Sequence, residues 1–250
     1  MKIAYGDQTI DFKCPDKVLL SLSGGLDSAS LFYLICYHFP DTEIVPYTGQ
    51  DVTAPMDYEC AKDILQFMKE TFPTVNIREH DVYTFNIMDP EWREYASSKR
   101  EEEKVTLPDG TKIDRCPKLS GLVKILMLRE NTERLREQYP DHWILTGMTA
   151  NPPVEEQHKY NFYNIAERRR DDRTVSPWFH NQMYQPYVNV DKKFVAGVYK
   201  DHKLMDTLYP FTSSCVGSER DTEYLPKVVV NVSGVMRRNG HLRRDQYCCY

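Results

Sequence analysis

The chain has 250 residues, of which 41% are hydrophobic and 28% charged, a composition that is typical of a globular protein and excludes a largely disordered one. The formal net charge of −5 argues against a general nucleic-acid-binding protein, which usually carries a basic surface. No apolar stretch reaches the ~18 residues of a membrane span, and the start lacks the regions of a secretory signal, so we expect a cytoplasmic protein without a membrane partner.

Strands are predicted to alternate with helices along the first part of the chain. A short hairpin is predicted around residues 6–7, a buried strand over 18–22, and its helix over 28–37. A second strand over 43–47 is expected to end in the turn Thr-Gly-Gln-Asp, residues 48–51.

The same alternation continues in the second part of the chain. Residues 56–72 carry apolar side chains at helical spacing, and a third strand is predicted within 76–83. The polar run 97–117 is predicted to form a surface excursion or a hairpin. A long helix over 119–138 then precedes a strand over 142–147.

This order of elements implies a parallel sheet whose strands are joined by right-handed crossovers. We therefore predict an α/β fold with a parallel five-stranded, HUP/Rossmann-like sheet flanked by helices, and a small C-terminal appendage. Ligands of such sheets bind at the carboxyl ends of the strands, which is where residues 23–28 and 47–51 fall.

The hexapeptide Ser-Gly-Gly-Leu-Asp-Ser, residues 23–28, connects the first buried strand to its helix. Its two glycines permit positive φ angles and a close approach by a ligand, and a helix N-terminus attracts anions. Helix capping alone accounts for one serine or aspartate, but not for two glycines and three nearby hydroxyls around one acid. A Walker loop and the G-x-G-x-x-G pattern both have a different spacing. The hexapeptide therefore predicts a phosphate site of another kind.

The hexapeptide resembles the SGGxDS loop of the PP-loop ATP pyrophosphatase superfamily, in which the loop binds the pyrophosphate of ATP. Within that superfamily, residues 47–65, 143–167 and 188–215 are similar to the 7-cyano-7-deazaguanine synthase family. The resemblance implies a single PP-loop domain over residues 1–250. It also implies that the nucleotide is bound by Ser21, Leu22, Ser23, Gly24, Gly25, Leu26, Asp27, Ser28, Tyr47 and Gly147.

The activity that the resemblance implies is that of an ATP-dependent ligase. A carboxylate of a small deazapurine-type substrate attacks the α-phosphorus of ATP, pyrophosphate leaves, and ammonia then displaces AMP. Asp27 is predicted to hold Mg²⁺ or to orient the loop, because Mg²⁺ prefers oxygen ligands. Lys192, Lys193 or Arg168 is expected to hold the substrate carboxylate over residues 146–151. Ammonia is expected to be free or delivered by a partner, and a homodimer is left open.

Zinc is a further implication of the resemblance. In the family, a Thr-x-Ser-Cys turn is followed closely by three more cysteines that bind zinc. Here Cys215 is followed by 32 residues without cysteine before Cys248 and Cys249, so the motif is either diverged or cut short. These three cysteines are the predicted zinc ligands within residues 210–250, with His241 or a later cysteine as the fourth. Three unligated thiols are the alternative.

Other functions stay open from the sequence alone. A PP-loop sulfur-transfer or reductase enzyme, acting on tRNA or on a sulfate adenylate, is one alternative, although neither a C-x-x-C pair nor a basic surface is evident. A non-catalytic nucleotide-binding subunit is the other. The arginine-rich run 167–173 is either an anion clamp or a solvated helix face. His142 and His158 are predicted to be ordinary surface or packing residues, and Cys60 and Cys116 to pack as small hydrophobic side chains.

Overall fold

A parallel sheet runs through the computed structural model, which describes residues 1–106, 110, 112–114, 118–150, 178–180 and 182–213. The strands in chain order are β1 (Lys2–Tyr5), β2 (Gln8–Asp11), β3 (Lys17–Ser21), β4 (Glu43–Asp51), β5 (Asp81–Phe85), β6 (Lys104–Thr106), β7 (Lys112–Asp114), β8 (Trp143–Leu145), β9 (Trp178–His180) and β10 (Met183–Gln185). The helices are α1 (Leu26–His38), α2 (Met56–Thr71), α3 (Pro90–Lys99), α4 (Leu119–Gln138), α5 (Lys192–Asp201) and a 3-10 turn, Tyr209–Phe211.

The main sheet has the strand order β5-β4-β3-β8-β10-β9. The first five of these strands are parallel, and β9 pairs antiparallel with β10 at the edge. Helices flank this sheet, so the predicted α/β fold with five parallel, Rossmann-like strands is confirmed. The crossover after β3 places the start of α1 at the carboxyl end of the sheet.

Strand β3 lies at the centre because both of its faces are covered by apolar side chains. Val18 and Leu20 are fully buried in the core cluster that includes α1, whereas Leu19 points to the opposite cluster with Tyr47 and Leu135. A strand buried on both faces reads as a continuous apolar run. Helix α1 is buried over most of its circumference as well, which explains its continuous apolar run from Leu31 to Cys36.

Most of the predicted elements are confirmed, with shifted ends. The hairpin around residues 6–7 is formed by β1 and β2, and α4 has the predicted bounds. Helix α1 begins at Leu26, two residues before the predicted start, and the third strand is displaced toward its C-terminal end. The polar run after residue 97 contains the end of α3 and the β6–β7 hairpin.

The predicted turn over residues 48–51 is wrong. These residues continue β4, and Thr48 to Asp51 pair in parallel with Val82 to Phe85 of β5. Gly49 stands in this strand for a packing reason, since a Cβ there would overlap the Leu128 side chain of α4. Pairing with β5 therefore overrides the turn preference of the local sequence.

The chain divides into two compact units, Met1–Ser213 and Ser214–Tyr250, and every described residue belongs to the first. In the described part of the chain, no helix combines the length and the apolarity that a bilayer crossing requires.

Candidate functional site

The start of α1 carries no side-chain cap from the described residues. Its N-cap, Gly25, provides no side-chain hydrogen bond, and the first bond of the helix runs from Ala29 N to Gly25 O over 3.1 Å. The N–H groups of Leu26, Asp27 and Ser28 precede that bond and have no acceptor within the helix. These N–H groups and the helix dipole together favour an anion at this position.

Serine hydroxyls hold the loop that leads into α1. Ser28 Oγ donates to Gly25 O over 3.0 Å and accepts from Ser23 N over 3.3 Å. Ser23 Oγ lies 3.1 Å from Ser28 Oγ and 3.4 Å from Gly25 N, which donates to it. Ser28 is buried, so its hydroxyl shapes the loop, whereas Ser23 is exposed at the loop surface.

Gly24 fits the loop against α2 and against the segment that ends at Ser213. Its φ of 77° lies in the left-handed region, and a Cβ would overlap the carbonyl oxygen of Asp57. Ser213 N donates to Gly24 O over 2.8 Å, and Ser213 Oγ lies 3.3 Å from the same oxygen and 3.4 Å from Asp57 Oδ1. Burial raises the pKa of the Asp57 carboxyl, while the charge of Lys124 and the Ser213 hydroxyl oppose that change.

Neither Asp57 nor Ser213 was among the residues that the sequence singled out. Ser213 lies 189 positions from Gly24, and the pattern of the hexapeptide contains no signal for it. The resemblance at residues 212–215 marked Thr212, Ser214 and Cys215, but the residue between them makes the contact with the loop.

Gly147 lies directly under the first turn of α1. A Cβ at this position would be 2.7 Å from Asp27 O and 2.9 Å from Ser28 N. The backbone that follows β8 can therefore approach the helix start only because residue 147 has no side chain. The structure thus places Gly147 beside the loop, and its predicted contact with a nucleotide stays a prediction.

Asp27 and Lys192 form an ion pair across the carboxyl edge of the sheet. Lys192 Nζ donates to Asp27 Oδ2, and the lysine side chain is 67% exposed whereas that of Asp27 is 21% exposed. The other carboxylate oxygen, Asp27 Oδ1, is buried and has no hydrogen-bond partner among the described residues. Of the two predicted lysines, Lys192 is the one whose ammonium binds Asp27, and Lys193 donates its backbone N–H to Asp191 Oδ1.

Asp27 Oδ1 suits a hard cation. A buried polar atom without a partner is unfavourable and calls for an explanation such as a bound ion. A carboxylate oxygen is the type of donor that Mg²⁺ takes, and Mg²⁺ needs only one or two protein carboxylates when phosphates supply other ligands. The single orphaned oxygen at an anion-binding helix start therefore fits a magnesium–phosphate complex.

Tyr47 and Ser21 interact within the core. The Tyr47 side chain is buried in the cluster that contains Leu19 and Leu135, and burial raises its pKa to about 12, opposed by a hydrogen bond with the Ser21 side chain. The Tyr47 carbonyl accepts from Leu22 N over 2.8 Å. Both residues thus fix the end of β3, and their predicted contact with a nucleotide stays a prediction.

His80 supports the entry to the loop from the neighbouring strand. Thr48 Oγ1 lies 2.5 Å from Leu22 O and 2.8 Å from His80 Nε2. A threonine hydroxyl carries one hydrogen, so it donates to the carbonyl and accepts from His80 Nε2–H. Burial lowers the pKa of His80 to about 4, and the imidazole is therefore neutral at pH 7.

The predicted zinc ligands lie outside the described residues. This applies to Cys215, Cys248, Cys249 and His241, and also to the other candidates Arg168, Asn151, His158 and Cys116. Over the ranges that the structure describes, no group of three His, Cys, Asp or Glu side chains is arranged to hold a metal ion. His142 is buried and bonds Glu43 Oε1 over 3.0 Å at the opposite edge of the sheet.

The fold and the site define an α/β protein in which a glycine-rich loop joins the central strand to an uncapped helix. No protein-family model and no curated protein sequence matches the chain. Among solved structures it is similar to the U34-tRNA thiolase NcsA from Methanococcus maripaludis with its [4Fe-4S] cluster, at 13% identity and a TM-score of 0.45, over 77% of this chain and 59% of that one.

A second similar structure is the NMN synthetase from Francisella tularensis, at 15% identity and a TM-score of 0.40, over 77% of this chain and 64% of that one. The chain matches less than two thirds of the length of either. At such identities and TM-scores, the activity has to be argued from the residues of this chain.

Proposed function

We propose that this chain is a PP-loop ATP pyrophosphatase that adenylates a carboxylate of a small deazapurine-type substrate and transfers ammonia to it. One observation carries the nucleotide part of the proposal: Asp27 Oδ1 is buried beside the uncapped start of α1 and has no hydrogen-bond partner within the described ranges. The helix N-terminus would bind the phosphates of a magnesium nucleotide, and the carboxylate oxygen would bind its metal ion.

The first turn of α1 would bind the phosphates of ATP. The N–H groups of Leu26, Asp27 and Ser28 have no acceptor within the helix, and the exposed ammonium of Lys192 lies at the same edge of the sheet. Fixed donors of this kind stabilise the negative charge that grows on pyrophosphate as it leaves. The serine bonds of the loop keep these donors in place before the nucleotide arrives.

Asp27 would hold the magnesium ion. Its Oδ1 is unpartnered while Oδ2 binds Lys192, so the carboxylate can serve a metal and an ammonium together. Mg²⁺ held there supplies neutralising charge to the phosphate oxygens. The role of the protein is to keep Asp27 oriented, which the bond from Ser30 Oγ to Asp27 O, 2.9 Å, supports.

The reaction proposed is acyl transfer through an adenylate. A substrate carboxylate oxygen attacks the α-phosphorus, the bond between the α-phosphorus and its bridging oxygen breaks, and pyrophosphate leaves. Ammonia then attacks the acyl carbon, loses a proton, and AMP departs to leave an amide, which a second ATP-dependent step dehydrates to a nitrile. The resemblance at residues 188–215 supports this acceptor, and the net charge of −5 disfavours a whole tRNA.

The test is to incubate the protein with ATP, Mg²⁺, ammonium and 7-carboxy-7-deazaguanine. The expected products are AMP, pyrophosphate and the nitrile, detected by mass spectrometry, and Asp27→Asn is the inactive control. Formation of ADP alone would contradict the PP-loop chemistry. An untouched acid, together with sulfur incorporation into tRNA, would replace this acceptor by the sulfur-transfer alternative.

Zinc bound by Cys215, Cys248 and Cys249 is part of the same proposal. Structural zinc sites need four ligands, so His241 or a later cysteine would complete the set. Elemental analysis of protein purified without chelators is expected to find one zinc per chain, and the Cys248→Ser variant to lose it. A zinc content near zero in the unaltered protein would favour unligated thiols.

A further inference from the structure

The N-terminal hairpin carries a polar side chain where its pattern calls for an apolar one. Ile3, Tyr5 and Ile10 face the core from β1 and β2, and Gln8 shares their face with an exposed fraction of only 6%. A buried amide has to satisfy both its donor and its acceptor within the protein. Core packing alone does not explain a glutamine here.

Both ends of the Gln8 amide bind one residue, Asp191. Gln8 Nε2 donates to Asp191 Oδ1 over 2.7 Å, and Asp191 N donates to Gln8 Oε1 over 3.0 Å. This two-bond contact fixes the carboxylate and the backbone of Asp191 together. It joins positions that are 183 residues apart in the sequence.

Asp191 is the N-cap of α5, and the next residue belongs to the candidate site. The same Asp191 Oδ1 accepts from Lys193 N over 2.8 Å, as an N-cap side chain does. Lys192, between them, extends its ammonium to Asp27. A rotation of the first turn of α5 would therefore withdraw the ammonium from the carboxylate.

The hairpin is also packed directly on α5. A Cβ at Gly197 would be 2.6 Å from the Cβ of Tyr5, and the rings of Tyr5 and Phe194 meet edge to face at 5.2 Å. The hairpin and α5 are thus held in a fixed relation by packing, and Gln8 supplies the polar contact at the helix start.

We propose that Gln8 is a positioning residue for Lys192: it orients Asp191, and through it the ammonium that pairs with Asp27. The inference deepens the proposed function and rests on it, since the pair matters only if Asp27 and Lys192 serve the nucleotide. Gln8 itself lies on the hairpin and acts through α5.

The test compares Gln8→Ala with Thr9→Ala, an exposed neighbour on the same strand. Gln8→Ala is expected to lower kcat for pyrophosphate release about tenfold, with a smaller change in the KM for ATP, because a buried hydrogen-bonded amide is lost. In a Lys192→Ala background the same change is expected to lower kcat less than about twofold. Thr9→Ala should leave both constants unchanged.

The Gln8→Glu variant tests the hydrogen bond through the pH dependence of activity. A residue that served only to pack the hairpin would not change this pH dependence. Its carboxylate faces that of Asp191 and cannot donate until the pair takes up a proton. Its activity relative to the unaltered enzyme is therefore expected to rise as the pH is lowered. All variants are assayed at a temperature at which thermal melts show them folded.

Two results would overturn the proposal. One is an equal loss from Gln8→Ala with and without Lys192, and the other is a ¹⁵N chemical shift of Lys192 Nζ that is identical in Gln8→Ala and Thr9→Ala. The shift is measured on lysine-labelled protein without nucleotide, so it decides the positioning role even if the unaltered protein releases no pyrophosphate. If the unaltered protein releases no pyrophosphate, that result refutes the proposed function and not the positioning role of Gln8.

Discussion

Helices α1 and α5 both begin at the carboxyl edge of the sheet, and they begin in opposite ways. Helix α5 has an aspartate N-cap, Asp191, whose carboxylate binds Lys193 N and is itself held by Gln8. Helix α1 has Gly25 as its N-cap, with no side-chain cap from the described part of the chain, and the Oδ1 of Asp27 is left unpaired there. Stability alone favours a cap at every helix start. Of these two starts, the uncapped start of α1 is therefore the one that leaves its N–H groups available to an anionic ligand.

The largest expected effect comes from removing the charge at the open helix start. Asp27→Asn should lower kcat for pyrophosphate release by roughly a hundredfold or more, because a metal ion supplies several kcal/mol of charge stabilisation. Asp41→Asn, an exposed aspartate just after α1, is the matched control and should retain full activity. Equal rates for the two variants would break the comparison, since Asp27 would then be an ordinary helix residue.

The two glycines of the loop are expected to differ sharply in stability. Gly24→Ala should lower the free energy of unfolding by about 2 kcal/mol or more, since the left-handed conformation alone costs about 1–2 kcal/mol and the new Cβ also meets Asp57 O. Gly25→Ala should change it by less than about 1 kcal/mol, as its Cβ would make ordinary contacts of 3.5 Å with Ser23 Oγ and 3.8 Å with Ser213 O.

Urea denaturation of both variants measures this difference, and similar midpoints would contradict it. The result also bears on a bulkier change, Gly24→Val. A valine side chain there would point at α2, because the Cβ direction leads to Asp57 O and the Cys60 side chain. Gly25 is therefore the better position for probing the ligand.

Giving α1 the cap that α5 has is the most direct way to sharpen the comparison. Gly25 already has the extended backbone of an N-cap, with φ −89° and ψ 166°. Gly25→Asp is expected to stabilise the fold by a few tenths of a kcal/mol. It should also weaken binding of the magnesium complex of ATP by roughly tenfold, because the new carboxylate takes the helix N–H groups and repels phosphate. Thermal melts measure the stability and calorimetry measures the binding of the nucleotide. A variant that is both more stable and a tighter binder would refute the idea that a cap and a ligand compete for the same N–H groups.

The smallest expected effect concerns the strand edge beside the open helix start. Burial lowers the pKa of His80 from 6.5 to about 4, opposed by Asp81 and aided by Lys69 and Lys62. Between these pH values the unfolded chain binds more protons than the folded one. The contribution of His80 is therefore fully present above about pH 6.5 and declines as the pH falls toward 4.

His80→Gln is the comparison for this effect. The difference in melting temperature between the unaltered protein and the variant should shrink as the pH falls from 6.5 to 4. A constant difference across that range would show that the imidazole is not desolvated in the folded protein.

Local patterns were sufficient for the elements that carry their own signal. The apolar run of β3, the hexapeptide that follows it and the long helix α4 are all recognisable without knowledge of their neighbours. The residues 48–51 misled because Thr-Gly-Gln-Asp has the composition of a turn, and only pairing with β5 makes it a strand. Strand β10 has three residues, which is too short to show a period.

The site was predictable in its loop and not in its supports. Asp27 and Lys192 were both singled out, and the structure brings them together. Gln8 and Ser213 were missed because their partners lie between 156 and 189 positions away. Gln8 did leave one usable signal, since it interrupts the alternation of apolar residues in the first hairpin.

The serine bonds of the loop also determine how binding depends on entropy. Ser23 and Ser28 hold the loop through hydrogen bonds among its own residues. When a segment becomes ordered only on binding, the conformational entropy that it loses reduces its affinity for the ligand. This loop has already lost that freedom, so an arriving anion displaces water without ordering the chain. The temperature dependence of the binding affinity should then come mainly from the entropy of the ligand and of the released water.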